Sequence, residues 1–367
     1  MIQASAKSEL QSITYKHQVG VPTVDVVIPC YNYGHYLSNC VQSVLAQEGV
    51  NVRVLIIDDA SPDRTPEVGK ALATEHACVE FIRHETNKGH IATYNEGLLE
   101  WSSGDYVVLL SADDILAPQA FVRAMEVMES DKSIGMVYGR TFHFHEEKQL
   151  AALPTDKPVT KFDRYPGTVW LDKRFRAGYN VITSPEVVVR GTVHRAVGGY
   201  RRELPHSGDL EIWLRIAAVS DIAFLHHTQA YYRVHPSSMQ RTKYKSSFVD
   251  LVHRKAAFDS FIQHHSSISF LASLQHSVNR ALASEALWDA CRAFDRDRLD
   301  TVNIEELLQF AISTYKESES LPEFSALRRR QRLGAIFCHR TQIFAIPASF
   351  RWLDRRLKKA RLLRHGI

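Results

Sequence analysis

The chain has 367 residues, 45% of them hydrophobic and 23% charged, with 45 Lys/Arg against 41 Asp/Glu for a formal net charge of +4. That length predicts about two domains, or one large α/β domain with an appendage, and the composition supports a sizeable buried core. Collagen-like, disulfide-scaffold and disordered chains are excluded.

Charge is unevenly distributed. Twelve Lys/Arg and a single acid, Asp354, lie between Arg328 and Ile367, leaving 33 basic and 40 acidic residues elsewhere. An acidic body with a basic C-terminal tail is the pattern. Five scattered cysteines without a C-x-x-C pair predict reduced thiols and no zinc knuckle. Residues 1–23 lack an apolar signal core, and no run reaches about 18 apolar residues, so the chemistry is expected in the cytosol.

In chain order, β-branched runs at Val24–Ile28, Val52–Ile57, Val79–Ile82 and Tyr106–Leu110 alternate with helix-like segments near 35–47, 63–76 and 89–102. That alternation predicts an α/β fold, a mostly parallel sheet with helices on both faces. Short strands at Gly135–Tyr138, Glu186–Val189 and Ile222–Leu225 follow, with a helix from about Leu210 to Val219. A Pro- and Lys-rich loop is expected over Pro154–Pro166. Beyond about 240 the spacing becomes wholly helical. The expected organisation is an N-terminal extension (1–23), a catalytic α/β domain (24–240) and a helical C-terminal extension (241–367).

Ligands in parallel sheets sit beyond the carboxyl ends of the strands. Four polar clusters stand at those ends: Pro29-Cys-Tyr-Asn32, Asp58-Asp59-Ala-Ser61, Asn87-Lys-Gly89 and Ser111-Ala-Asp-Asp114. Two readings fit Asp113 and Asp114. They are hard oxygen ligands for Mg2+ or Mn2+ bridging a diphosphate, or Asp114 caps a following helix. The companion pair Asp58-Asp59 favours the cation. Asp59 is suited to accept from a nucleobase or ribose, or to form an Asx-turn; Tyr31 and Asn32 are suited to stack on and pair with a base, or to start a helix. Asn87-Lys-Gly89 reads equally as a turn. No G-x-G-x-x-G or G-x-x-x-x-G-K-[ST] occurs, which removes the main support for dinucleotide and P-loop sites.

These clusters, with Asn87-Lys-Gly-His-Ile-Ala-Thr-Tyr-Asn95, His206-Ser-Gly-Asp-Leu-Glu-Ile-Trp-Leu-Arg215 and Tyr232-Arg-Val-His-Pro-Ser-Ser238, resemble in order and spacing the motifs of family-2 glycosyltransferases across residues 24–240. The resemblance implies a GT-A fold, Rossmann-like in type, that uses a nucleotide-diphosphate sugar and Mn2+ or Mg2+ with inversion at the anomeric carbon. It implies that Pro29, Tyr31, Asn32 and Asp59 hold the nucleotide, with Asn87, Gly89 and Ser111 completing the donor site. Asp113 matches the metal-binding acid, Asp114 the acid that follows it, and His235 a further metal or diphosphate contact. Asp209 matches the general base.

Two positions depart from the pattern. Ser111 stands where an acid is usual, and Thr93-Tyr94 precedes Asn95 where an Arg is common. The Q-x-x-R-W motif of processive synthases is absent, so transfer of a single sugar to a glycan, lipid-linked or other hydroxyl acceptor is the expected activity. Glu211 is the reserve candidate for the base; Asp209 also reads as a helix N-cap, and His235 as a packed histidine. A catalytically weak nucleotide-sugar-binding protein is the alternative, encouraged by Ser111; a nucleotidyltransferase lacks its Gly-rich basic loop.

In the tail, Leu353, Leu357 and Ala360 recur at helical spacing opposite Lys and Arg. Residues 350–364 therefore read as a basic amphipathic helix for an anionic membrane surface, or as a solvated helix docked on the acidic body. No nucleic-acid-binding module accompanies the charge. The expected location is cytoplasmic, peripheral at the inner face of a membrane.

Overall fold

In the computed structural model, residues 9–13, 20–150, 160–236, 238, 246–266 and 270–367 are described. The chain divides into two compact units. One comprises Met1–Leu171, Val181–Ser238 and Gly366; the other comprises Asp172–Asn180, Met239–His365 and Ile367.

The first unit is a ten-stranded sheet with helices. Strand β1 (Glu9–Ile13) precedes β2 (Thr23–Cys30), whose Val24, Val26, Val27 and Ile28 are fully buried. Helix α1 (Gly34–Leu45) places Leu37, Cys40, Val41 and Val44 on one face, the i, i+3, i+4, i+7 spacing that buries a stripe. Then come β3 (Asn51–Asp58), α2 (Thr65–Glu75) and β4 (Val79–Arg83). Helix α3 (His90–Asn95) runs into a π-helical segment at Glu96–Trp101, followed by β5 (Tyr106–Leu109) and the short β6 (Ile115–Leu116).

Helix α4 (Ala120–Ser130), β7 (Ile134–Phe144), β8 (Thr160–Tyr165) and α5 (Gly167–Ala177) lead to β9 (Val188–Arg190), α6 (Gly191–Val197), α7 (Gly208–Val219) and β10 (Asp221–Arg233). The strand order is β1-β8-β10-β7-β9-β5-β2-β3-β4, with β6 on β10. Strands β4, β3, β2 and β5 run parallel to one another, as the alternation predicted. Beyond β5 the sheet is mixed: β9 is antiparallel to both β5 and β7, while β7 and β10 are parallel.

Part of the expected loop is strand. Thr160–Tyr165 is β8, paired antiparallel with β10 and β1. Residues 154–159 of that loop, and the boundary at 240, lie outside the described residues.

The second unit is helical: α8 (Ser247–His264), α9 (Leu271–Asp295), α10 (Ile304–Thr314), α11 (Pro322–Leu333), α12 (Ala335–Thr341) and α13 (Ala345–His365). Its core includes Leu274, Val278, Leu282 and Leu287 of α9 and Leu307 of α10. Phe175, from the Asp172–Asn180 segment, meets Phe258 at 4.8 Å between ring centroids. Arg330 is buried and holds Asp295 through two hydrogen bonds of 2.8 and 2.9 Å. Among the described residues, no helix is long and apolar enough to cross a membrane.

Candidate active site

The carboxyl ends of the parallel strands are tied to one another by side-chain-to-backbone hydrogen bonds. At the end of β2 the Asn32 amide donates to Ser61 Oγ at 2.9 Å, joining the β2 and β3 loops. Asn32 (φ +63°) and Ala60 (φ +62°) both hold left-handed backbone conformations, uncommon for residues with a Cβ and concentrated at functional turns. Pro29 is partly buried, and Tyr31 is 50% exposed.

Asp59 is 4% exposed. Its Oδ1 accepts from the Lys88 amide at 2.7 Å and contacts His84 Nδ1 at 2.7 Å; its Oδ2 accepts from the Gly89 amide at 2.9 Å. The other ring nitrogen of His84 lies 3.0 Å from Glu96, which also receives Lys88 Nζ at 2.8 Å. Asn87 donates to the Asp59 carbonyl and accepts from the Gly89 amide, so its turn-forming reading is realised. Gly89, at φ +83° and ψ 152°, occupies backbone space essentially reserved for glycine. The β3 and β4 ends are therefore one hydrogen-bonded assembly around Asp59.

Ser111 is partly exposed, and its carbonyl accepts from the Asp114 amide at 3.0 Å. Asp113 Oδ2 lies 2.9 Å from His235 Nε2, on the segment after β10. Asp114 does not cap a helix, because β6 intervenes before α4 begins at Ala120. Its carboxyl is 2% exposed and accepts the Arg233 backbone N–H at 3.0 Å. Burial, with the adjacent Asp113 charge, pushes the Asp114 carboxyl well above the usual carboxylate range.

Arg233 is a residue the sequence placed in a motif without a role. Its guanidinium donates to the Asp113 carbonyl at 2.9 Å and to Glu147 at 2.7 Å, and lies over the Tyr36 ring at 4.4 Å. Glu147 in turn accepts from Asn39 at 2.8 Å.

On α7, Ser207 is the N-cap, so Asp209 is inside the first turn and free of the capping role. Its Oδ2 accepts Ser184 Oγ at 2.6 Å, and Tyr200 supplies a second hydrogen bond. Burial raises the Asp209 pKa; the bonds from Ser184 and Tyr200 and the nearby His90 and His206 act against that rise. Ser184 is held at φ +81°. Nothing local in the sequence marks it, since its partner is 25 residues away and the pairing is tertiary.

Glu211 is corrected from reserve base to structural ion pair. It is 0% exposed and bonded to Arg201 Nε at 2.7 Å and Arg215 Nε at 2.9 Å. Arg215 also donates to the Val197 and Gly199 carbonyls. Asn95 clamps the next residue of that loop, exchanging bonds of 2.7 and 2.8 Å with the Tyr200 backbone. Trp170 and Trp213 are buried, at 0% and 4% exposure.

Burial, then the charges of Asp209 and Asp113, push the Tyr94 phenol above its ordinary range. Tyr94 and Thr93 are the two residues that precede Asn95 in the stretch where the motif's Arg is common. Burial and Asp113 likewise raise Tyr33, whose ring is 5.4 Å from that of His235.

Among the described residues, no three His, Cys, Asp or Glu side chains gather to hold a metal alone. Asp113 and His235 offer one carboxylate oxygen and one imidazole nitrogen. That pair fits a divalent cation whose remaining ligands come from substrate phosphates and water, and the nitrogen suits Mn2+ better than Mg2+.

The α/β sheet with polar clusters at the ends of its strands has the GT-A fold. Residues 25–188 match the model of glycosyl transferase family 2. Chondroitin synthase of Escherichia coli is 31% identical over 153 residues, 42% of this chain and 22% of that protein. Glycosyltransferase GlyG of Streptococcus pneumoniae serotype 4 is 28% identical over 123 residues, 34% and 40% respectively. The chain thus spans less than half the length of either relative. In fold it is similar to the crystal structure of S. aureus TarS, with a TM-score of 0.55 and 14% identity over 85% of this chain and 55% of that one.

Proposed function

We propose that this chain is a metal-dependent inverting transferase that moves one sugar from a nucleotide-diphosphate sugar to a hydroxyl acceptor on a glycan or lipid-linked carrier. The observation that carries this reading is the pair Asp113 and His235, a carboxylate and an imidazole 2.9 Å apart that together suit a cation, with Asp209 held by a 2.6 Å bond from Ser184 as the candidate base.

The nucleotide lies along the ends of β2 and β3, with its base against the exposed Tyr31 and the Asn32, Pro29 and Asp59 loops. Gly89 brings backbone close to the donor, and Ser111 contributes a hydroxyl where an acid is usual. Asp113 and His235, backed by Asp114, hold the cation. When bound, the cation offsets charge on the departing diphosphate.

Asp209 takes the proton from the acceptor hydroxyl as that oxygen bonds to the anomeric carbon. The bond from that carbon to the diphosphate oxygen breaks on the opposite face, and configuration inverts. A carboxylate whose pKa lies above its ordinary value is a stronger base for this step. Ser184 and Tyr200 keep it oriented.

The Lys and Arg residues within 350–364 support a cytoplasmic enzyme working at the inner face of an anionic membrane. Incubating the protein with a panel of nucleotide sugars and Mn2+ tests the donor reading. One donor should raise the melting temperature, by mass action, and release its nucleotide diphosphate only when acceptor is present. Release that is unaffected by Asp113→Ala would remove the cation from the account.

A further inference from the structure

The apolar stripe of the C-terminal helix faces outward. Leu353, Leu357 and Leu363 are 48%, 62% and 55% exposed, whereas Leu362, on the opposite side of α13, is partly covered. An amphipathic helix that stabilised only its own protein would turn this stripe inward. The same exposure extends upstream of the tail: Leu333 at the end of α11, Ile336 and Phe337 of α12 and Ile343 after it are 40–62% exposed. Of fourteen large hydrophobic side chains exposed among the described residues, seven lie between Leu333 and Leu363.

The surrounding charge has one sign. Arg340, Arg356, Lys358, Lys359 and Arg361 are all exposed within that stretch, and Arg332 is exposed immediately before it. Its one acid, Asp354, is paired with Lys358 at 2.8 Å. Clustered apolar residues in a basic surround fit the boundary of an anionic bilayer, where the apolar chains enter the interface and the cations meet headgroups. They fit an acidic protein less well, because Ile336, Phe337, Leu357 and Leu363 are themselves 45–62% exposed and would each need a complementary apolar pocket on that partner.

We propose that residues 333–364, and not the terminal helix alone, form a monotopic surface for anionic lipid, with Ile336, Phe337 and Ile343 inserting beside the Leu353–Leu357 stripe. The surface extends the functional reading of the tail but does not depend on transferase activity.

The test is co-sedimentation of the full chain with vesicles of phosphatidylglycerol and phosphatidylcholine, or of phosphatidylcholine alone. Wild type should bind the anionic vesicles and bind neutral ones much more weakly. Lys358→Gln with Lys359→Gln should weaken binding about 30-fold, from about 1 kcal/mol per basic residue. Ile336→Ser with Phe337→Ser, outside the tail, should weaken it by at least about 10-fold. Circular dichroism should be unchanged in both variants, since all four side chains are exposed. Equal binding by wild type and the Ile336/Phe337 variant would overturn the proposal. So would a lipid-free dimer that this variant dissolves while vesicle binding stays the same. Donor binding and transfer are measured without lipid, so failure of the surface and failure of the enzyme reading are told apart.

Discussion

Ser184 donates a 2.6 Å hydrogen bond to Asp209 from a backbone held at φ +81°. A left-handed serine is uncommon, and its strain is maintained by surrounding packing at the one place where it aims a hydroxyl at the candidate base. Neighbouring Thr183 anchors the same turn, donating from both its amide and its hydroxyl to Glu186 at 2.7 Å.

This bond sets a pH dependence. As the proposed base, Asp209 would act when ionised; burial raises its pKa and Ser184 opposes the rise. Ser184→Ala should therefore move the acidic limb of the kcat/KM profile to higher pH. It should also lower kcat/KM near neutrality by about 10-fold, in keeping with a lost hydrogen bond to a charged group. Steady-state rates across pH would check both.

The same shift has a stability consequence. A carboxyl with a raised folded pKa contributes stability that is present below its unfolded pKa and lost as pH rises through the folded value. Asp209→Asn should accordingly raise the melting temperature relative to wild type above that window, with the difference shrinking towards acid. Calorimetric scans at several pH values measure it.

Glu211 should behave oppositely. Removing it leaves Arg215 buried beside backbone carbonyls without its carboxylate. Glu211→Ala should cost about 3–5 kcal/mol in chemical denaturation, the range for breaking a buried pair. Glu211→Gln should leave the acidic limb of the rate profile in place.

His84 lies between Asp59 and Glu96 on 2.7 and 3.0 Å contacts. It touches no substrate in the proposed arrangement but fixes the carboxylate facing the nucleotide. His84→Ala should raise the donor KM by about 10-fold with little change in kcat, as expected for one lost buried hydrogen bond. A change confined to kcat would contradict that positioning role.

Much of the first unit was legible because its signals are local. β-branched runs and 3.6-residue periodicity located β2, β3, β4, β5, α1 and α2, and the polar residues after each strand marked the crevice. The misreadings concern partners distant in sequence. Thr160–Tyr165 becomes a strand only because β10 and β1 pair with it. Asp114 loses its capping role because β6 pairs with β10 before α4 begins. Ser184, Tyr200 and Arg233 gain theirs through contacts no window of sequence contains. Glu211 was the exception: Arg215 stands four residues later, the spacing of a helical ion pair, and that signal was available.

The most direct measurement compares Asp209→Asn with wild type for acceptor-dependent release of nucleotide diphosphate, with nucleotide-diphosphate binding in Mn2+ measured alongside by calorimetry. The predicted result is unchanged binding and turnover reduced by about 100-fold or more, the contribution of a general base. Turnover equal to wild type would contradict the assignment of Asp209 as the base.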